Sequence, residues 1–349
     1  MLLAMTTKLA RTTIEEVAAR AGVSPGTVSR VLNGKNKENR PAIAKRSERI
    51  RRIAKKLGYR PNAAARSIVS GQFGAVGFVT AGDAGTDWYP IAALNGIYAA
   101  LAASHLRLFF NQIPAKLFSD PNVVPHLFRE STVDGLIVNL LPRFSNSLVP
   151  YFESQPAPCV WLNLKLDQRS VYPDDTTAAK IALPWLFERG HRSIGFLQRQ
   201  FEANVHYSVN DRLAGFCTAM REAGLSDKRH LPLHGETDGA ITSVMERAEH
   251  FLEQFPDATA AICYEQEEAI CLYTAALRAG KLPGNFQIVG ISQDCIRYLS
   301  GLPIPTVRIP FYQVGQQASA MLMEILASGE RDIPSRPIPY TDPVEDKDC

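Results

Sequence analysis

Residues 12–34 read TTIEEVAARAGVSPGTVSRVLNG, and this stretch decides the fold of the N-terminal part of the chain. Thr12 or Thr13 can cap a helix, and Glu15 or Glu16 follows three residues later at the capping-box spacing. Ile14, Val17, Ala18 and Ala21 fall at i, i+3, i+4 and i+7, which lays one apolar stripe along a short helix. Gly22 permits the left-handed backbone that ends it. Ser24 is placed to cap a second helix and Pro25 to open it, where a missing N–H costs nothing. Val28, Val31 and Leu32 then face inward, which leaves Thr27, Ser29, Arg30 and Asn33 outside. Two short helices joined by a tight turn, the second polar on its outer face, form the helix-turn-helix geometry that a DNA major groove accepts. Hydroxyls and cap amides suit phosphate oxygens, and Arg30 can hold a guanine through two hydrogen bonds. From this segment alone, an ordinary packed helix pair with a solvated face is the alternative.

The next segment weighs against that alternative. Lys35, Lys37, Arg40, Lys45, Arg46, Arg49, Arg51, Arg52, Lys55 and Lys56 stand against Glu38 and Glu48, while Ile50, Ile53 and Leu57 carry an apolar stripe. In GYRPNAAARSI (58–68), Gly58 stops this helix, Pro61 turns the chain and Asn62 can cap a short Ala-rich helix. AGVSPGTVSRVLNG followed by LGYRPNAAARS resembles the DNA-binding head and hinge of the lactose-repressor/galactose-repressor (LacI/GalR) family of bacterial transcription regulators.

The resemblance implies an all-α helix-turn-helix head at residues 10–60, a hinge helix at 61–71 and a sensor core at 72–349. Carried over position by position, it gives DNA contacts from Thr13, Ser24, Pro25, Gly26, Thr27, Ser29, Arg30, Asn33, Tyr59, Asn62, Ala65 and Ile68. Pro25 and Gly26 occupy the family's variable, base-choosing positions, so specificity should lean on Arg30 and on DNA shape. Ile68 stands where the family has a leucine that wedges between base pairs; a β-branched residue is stiffer there and should wedge less deeply. The stretch from Asn33 to Tyr59 is longer than the family pattern, which predicts an extended, mobile loop at GKNKENRP.

Charge is segregated along the chain. Residues 1–70 hold 16 Lys+Arg and 4 Asp+Glu, a balance of +12, and residues 71–349 hold 22 and 31, a balance of −9. A basic head on an acidic body predicts that only the head meets a polyanion. The six cysteines have no CxxC or zinc-finger spacing and are expected as free thiols in a reducing cytoplasm. The histidines show no HExxH spacing, so neither a metal nor another cofactor is expected. The opening MLLAMTTKLARTT is too short in apolar residues for a signal peptide, and Met5 is a candidate initiator. No run reaches the length of a membrane helix, so no membrane partner is expected.

From Phe73 onward, short apolar runs alternate with helical stretches. The runs are AVGFV (75–79), LRLFF (106–110), GLIVNLL (135–141), CVWLNL (159–164), SIGFL (193–197), AAICY (260–264) and FQIVGIS (286–292); the helices include 91–103, 176–190, 211–223, 239–254 and 266–280. This alternation predicts an α/β body of parallel sheets covered by helices on both faces. FERGHRSIGFL, NDRLAGFCTAMREAGL and TVRIPFYQVGQQA resemble the family's sensor domain, which is similar to periplasmic binding proteins. Two lobes with three crossovers are therefore implied, one lobe at about 72–173 and 303–320 and the other at about 174–302 and 321–345. The crossovers are expected near 173–175, 292–302 and 317–321, with a small-molecule effector between the lobes and a homodimer interface along them.

The implied effector residues are Tyr89, Asn139, Arg212, Glu265, Ser292 and Phe311. Several positions depart from the family: Glu265-Gln266 and Ser292-Gln293 replace its amide and carboxylate pairs, Thr237 an aromatic and Ile309 a polar residue. This thinned set points to a small polar or anionic ligand, a carbohydrate or its acid. Asp174-Asp175 reads as a crossover, since carboxylates adjacent on an extended chain point apart. The expected function is a DNA-binding transcription regulator, a repressor, acting as a homodimer on a near-palindromic site in duplex DNA. A ligand-binding protein or enzyme built on the same body, or an architectural DNA binder without effector, are the other readings.

Overall fold

The computed structural model describes residues 12–33, 41–62, 67, 71–81, 90–113, 132–140, 142–198, 206–231, 243–342 and 344. The chain divides into two units, Met1–Phe73 and Gly74–Cys349.

In the first unit Thr13 caps α1 (Ile14–Ala21) in a complete capping box with Glu16, and Gly22 ends the helix at φ 60°. Ser24 caps α2 (Pro25–Leu32), which Pro25 opens. α3 (Pro41–Lys56) runs 16 residues and turns Ser47, Ile50 and Ala54 inward. Val17, Ala18, Ala21, Val28, Val31, Ile50 and Ala54 form one buried cluster, flanked by Leu32, Leu57 and Tyr59. Arg49 donates to the Ala21 carbonyl at the end of α1 and ties α3 to the turn. Thr12 Oγ1 donates to the Leu57 carbonyl at 2.7 Å and closes the other end.

Among the described residues, the second unit contains two all-parallel sheets. The first has six strands in the order β10-β5-β4-β3-β1-β2, with β1 Ala75–Ala81, β2 Arg107–Ile113, β3 Gly135–Asn139, β4 Cys159–Leu162, β5 Ser170–Asp174 and β10 Arg336–Pro339. The second has the order β6-β7-β8-β9, with β6 Ile194–Leu197, β7 Ala260–Cys263, β8 Gln287–Ser292 and β9 Thr306–Arg308. β3, β4, β6 and β7 are buried at every position, which is why each reads as an unbroken apolar run.

The described helices, in chain order, are α4 (Ile91–Ala103), α5 (Pro142–Glu153), α6 (Ala178–Glu188), α7 (Tyr207–Glu222), α8 (Val244–Gln254), α9 (Gln266–Arg278), α10 (Ile296–Ser300) and α11 (Phe311–Ser328). A 3-10 turn, Asp175–Thr177, joins β5 to α6. α11 packs on β3, β4 and β5 and against α4, while α6 and α9 pack on the second sheet. α4 and α11 touch backbone to backbone: a Cβ on Gly96 would lie 2.1 Å from the Tyr312 carbonyl oxygen, and one on Gly315 2.0 Å from that of Ala93.

The chain leaves the first sheet at Asp174, where the first crossover was expected. The other two fall later than expected. β9 still pairs with β8, so the return follows Arg308 rather than 292–302. Residues 317–321 lie inside α11, and β10 then pairs with β5, so any third passage follows Pro339. Residues 303–308 thus belong with the second sheet and 321–339 with the first. Two edge strands too short or too proline-rich to read as strands hid this.

Cys159, Cys217, Cys263 and Cys271 are free thiols as expected. Cys295 is a disulfide sulfur, so that expectation fails there. No helix of the described residues is long and apolar enough to cross a membrane, and no cluster of His, Cys, Asp and Glu among them could hold a metal.

Candidate functional site

Two surfaces carry chemistry, one on each unit. In the head, α2 buries Val28 and Val31, which leaves Pro25, Gly26 and Arg30 exposed and Thr27, Ser29 and Asn33 half-buried. The Ser24 hydroxyl accepts from Thr27 N at 3.3 Å and meets Thr27 Oγ1 at 3.0 Å, so these hydroxyls first serve the cap. Asn33 Nδ2 donates to Ser29 Oγ at 3.2 Å. Arg30 Nε lies 3.5 Å from the Gly26 carbonyl, at the limit of a hydrogen bond, and the guanidinium remains exposed. The face therefore offers a fixed row of small polar groups and one long cation, with both carboxylates of the region, Glu15 and Glu16, on α1.

In the second unit, a buried polar centre forms where the chain passes between sheets. Arg212, on α7, is 3% exposed. Its Nε donates to Asp175 Oδ1 at 2.6 Å, one Nη donates to the Tyr264 carbonyl at 2.6 Å and the other lies 3.4 Å from the Tyr340 hydroxyl. The guanidinium also stacks 4.6 Å from the Tyr264 ring centroid. Tyr340 donates to Asp175 Oδ1 at 2.7 Å. Four segments thus meet on one ion pair: the 3-10 turn, α7, the end of β7 and the chain just beyond β10. α7 approaches the turn this closely because residue 215 is glycine; a Cβ there would lie 2.3 Å from the Thr176 carbonyl oxygen.

A second layer surrounds the pair. Burial alone would lower the Arg212 pKa, but Asp175, Tyr340 and Tyr264 outweigh burial and raise it well above the usual arginine value. Burial pushes Tyr264 up to about 12, against the pull of Arg212. Burial, and next the Asp175 charge, hold Tyr207 well above an ordinary phenol, and its hydroxyl donates to Asn163 Oδ1 at 3.2 Å and the Pro173 carbonyl at 3.3 Å. His206 caps α7, with Nε2 2.9 Å from the Asn163 carbonyl and Nδ1 2.8 Å from Ser208 Oγ. Burial lowers its pKa, so the ring is neutral with its proton on Nε2, the tautomer that the carbonyl requires.

Some buried polar atoms in this unit lack partners among the described residues: Asp175 Oδ2, both amide atoms of Gln198 and Gln293 Oε1. Gln198 and Gln293 each follow the last residue of a strand, β6 and β8. In the first sheet, β1 lies between β2 and β3, so the strand order reverses at the β1–β3 pair, and Asn139 stands there at the carboxyl end opposite Thr80. Ligands of open α/β sheets bind at carboxyl ends and at such reversals. Buried groups left without partners are costly unless something else fills their valence.

Residues 119–342 match the family model described as "Periplasmic binding proteins and sugar binding domain of LacI family", and residues 13–62 match "Bacterial regulatory proteins, lacI family". The chain belongs to the LacI family. It is a DNA-binding regulator with an effector-binding core. Among LacI-family relatives, it is 26% identical to catabolite control protein A of Priestia megaterium, over 90% of this chain and 92% of that one. It is 26% identical to the transcriptional repressor CytR of Escherichia coli, over 89% of each. Among solved structures, the lac repressor dimer bound to operator and an anti-inducer superposes with a TM-score of 0.70 at 18% identity, covering 94% of this chain and 96% of that chain. A CelR–cellobiose complex gives 0.59 at 21% identity, covering 94% and 97%.

For a LacI-family head, Thr13, Ser24, Pro25, Gly26, Thr27, Ser29, Arg30 and Asn33 fall on α1, α2 and their caps, Tyr59 packs on the head core and Asn62 is exposed. Ala65, Ile68 and the GKNKENR loop lie outside the described residues, as do Tyr89 and Thr237. Of the expected effector residues, Asn139 ends β3, Glu265 precedes α9, Ser292 ends β8 and Phe311 opens α11. Glu265 adjoins Tyr264 in the buried centre, and its charge reaches Arg212. Ser292 Oγ lies 3.4 Å from Gln266 Oε1 instead. Sequence reasoning missed Asp175 as the partner of Arg212, missed Asn163, His206, Tyr264, Gln198 and Tyr340, and took Gln293 only as a departure from the family's carboxylate pair. The carboxyl-end rule finds Asn163, Tyr264, Gln198 and Gln293 once the strands are known; no sequence signal marks Tyr340.

Proposed function

We propose that the chain is a transcriptional repressor that binds a near-palindromic operator as a homodimer through α2, under control of a neutral, hydroxyl-bearing ligand held at the Arg212–Asp175 centre. The observation that carries the ligand class is the state of the ion pair. Arg212 is neutralised by Asp175 at 2.6 Å, and the group left over is a carboxylate oxygen, Asp175 Oδ2, buried without a hydrogen-bond donor among the described residues. A site whose open valence is an acceptor calls for a ligand that donates O–H or N–H, and gains nothing from a second anion. A neutral carbohydrate fits this better than a sugar acid. The Gln198 amide and Gln293 Oε1, without partners among the described residues, add a donor and two acceptors at the strand ends of the same unit.

Exposed Ile91 and Tyr98 on α4, Phe109 and Phe110 on β2, and Tyr298 and Leu299 on α10 support a second copy as the partner that covers these faces. The relatives named as repressors support repression as the output. The cytoplasm is the compartment this function requires.

The test is a thermal-shift panel on the full chain with neutral mono- and disaccharides against the corresponding sugar acids. A bound ligand at about 100 times its Kd adds about 2.7 kcal/mol to the stability of the state it binds. The proposal requires at least one neutral sugar to stabilise the chain and Asp175→Asn to remove that shift. Stabilisation by the acids alone would overturn the ligand class.

A further inference from the structure

The run RRIAKK (51–56), which closes α3, takes no part in the surfaces described so far. α3 buries Ser47, Ile50 and Ala54, and every other residue from 44 to 56 except the half-buried Ile53 is exposed. Those exposed positions hold seven cations and one acid, Glu48. Arg51 with Lys55, and Arg52 with Lys56, are like-charge pairs at i and i+4, an arrangement that costs a helix stability. The carbonyl end of the helix offsets this for Lys55 and Lys56 in the last turn, but not for Arg51 and Arg52 a turn earlier.

α2 and α3 bury their inner faces in the same cluster, so their outer faces diverge. With α2 seated in a major groove, the outer face of α3 looks away from the base pairs that α2 reads. Its chemistry is that of a polyanion surface: cations one helical turn apart, with no large apolar side chain among them. A protein partner or a membrane surface would need apolar anchors that this face lacks. Duplex DNA needs none, since its phosphates bind through charge.

We propose that the outer face of α3, centred on Arg51, Arg52, Lys55 and Lys56, binds the phosphates of a second DNA segment while α2 holds the first. One head then bridges two duplexes and can pass between them without first dissociating.

The test uses two random-sequence duplexes, one tethered and one fluorescent, with the full-length chain added between them. The wild type retains the fluorescent duplex. The variant R51Q/R52Q/K55Q/K56Q should lose this capture by about tenfold or more, with single-duplex affinity changed by less than about threefold. Glutamine is as good a helix former as lysine or arginine, so the helix persists, and circular dichroism confirms it. The charge-conserving variant R51K/R52K should capture as the wild type does. Undiminished capture by the glutamine variant would assign bridging to the two heads of a dimer and overturn the proposal. So would a single-duplex affinity that falls in step with capture, its salt slope reduced by about 0.9 per lost contact, because the stripe would then lie on the first duplex. Loss of capture in the lysine variant would overturn it too, since phosphates are held by charge.

Discussion

Replacing Asp175 by Asn leaves the shape of the crossover nearly unchanged and strands the charge of Arg212. The two side chains are 4% and 1% exposed and 2.6 Å apart. At that separation the Coulomb attraction is about 6 kcal/mol with an effective dielectric of about 20. Desolvation of both ions offsets much of this in the intact pair, but removal of one partner leaves the other buried and uncompensated. Such losses run to about 3–5 kcal/mol. For a unit the size of Gly74–Cys349, this corresponds to a fall in Tm of roughly 6–20 °C. Differential scanning calorimetry on wild type and variant reads it directly. Pairing Asp175→Asn with Arg212→Met removes the stranded charge, so the double variant should recover part of the loss, and the cycle gives the coupling. A cost below about 1 kcal/mol for Asp175→Asn, the range of an exposed pair, would refute the reasoning that this centre is dry and internally neutralised.

Further expectations follow from other parts of the molecule. Gly215→Ala pushes a Cβ toward the Thr176 carbonyl oxygen and should cost about 1–3 kcal/mol in urea unfolding while weakening ligand-induced stabilisation; an unchanged midpoint would mean that α7 moves away freely. Arg30→Ala should weaken binding to a selected operator by about 1–3 kcal/mol and spare random duplex, and equal losses on both in fluorescence anisotropy would remove its base-reading role. His206 has a lowered folded pKa, so the unfolded chain binds its proton first as pH falls. Its contribution to stability is complete above the ordinary histidine value near 6.5 and is lost as pH drops from there toward the lowered folded value. His191 shifts the same way through burial, so the share of His206 is the part of the pH slope that His206→Asn abolishes; an identical slope in that variant counts against it.

Much of the fold was legible because several of its strands are buried on both faces. AVGFV, GLIVNLL, CVWLNL, SIGFL, AAICY and FQIVGIS each contain a strand, since a parallel strand between helices has no polar side to show. SVYPD, TVR and RPIP were not read as strands. β9 is three residues long, and Pro337 and Pro339 stand in β10 at the sheet edge, where a missing N–H is tolerated. α5 was missed because Pro142 opens it and Pro150 lies inside it. In the head, Thr13, Gly22, Ser24 and Pro25 act locally, within a turn of their own positions, and the sequence displays such chemistry openly. The buried Arg212–Asp175 centre does not have this property. Arg212 was recognised from NDRLAGF, but Asp175 lies 37 residues before it and Tyr340 128 residues after it. Only the tertiary fold brings them together, and it makes Arg212 half of a neutral pair.

The most direct test of ligand-controlled DNA binding is one titration. The full-length chain is used to select a binding sequence from random duplexes, and its affinity for that sequence is measured by anisotropy with and without the stabilising neutral sugar, for wild type and Asp175→Asn. The selected sequence should be near-palindromic, the sugar should change the wild-type affinity by about 5–150-fold, and the variant should bind the operator but not respond. An affinity that no sugar moves, or a variant that responds as fully as the wild type, would contradict the account.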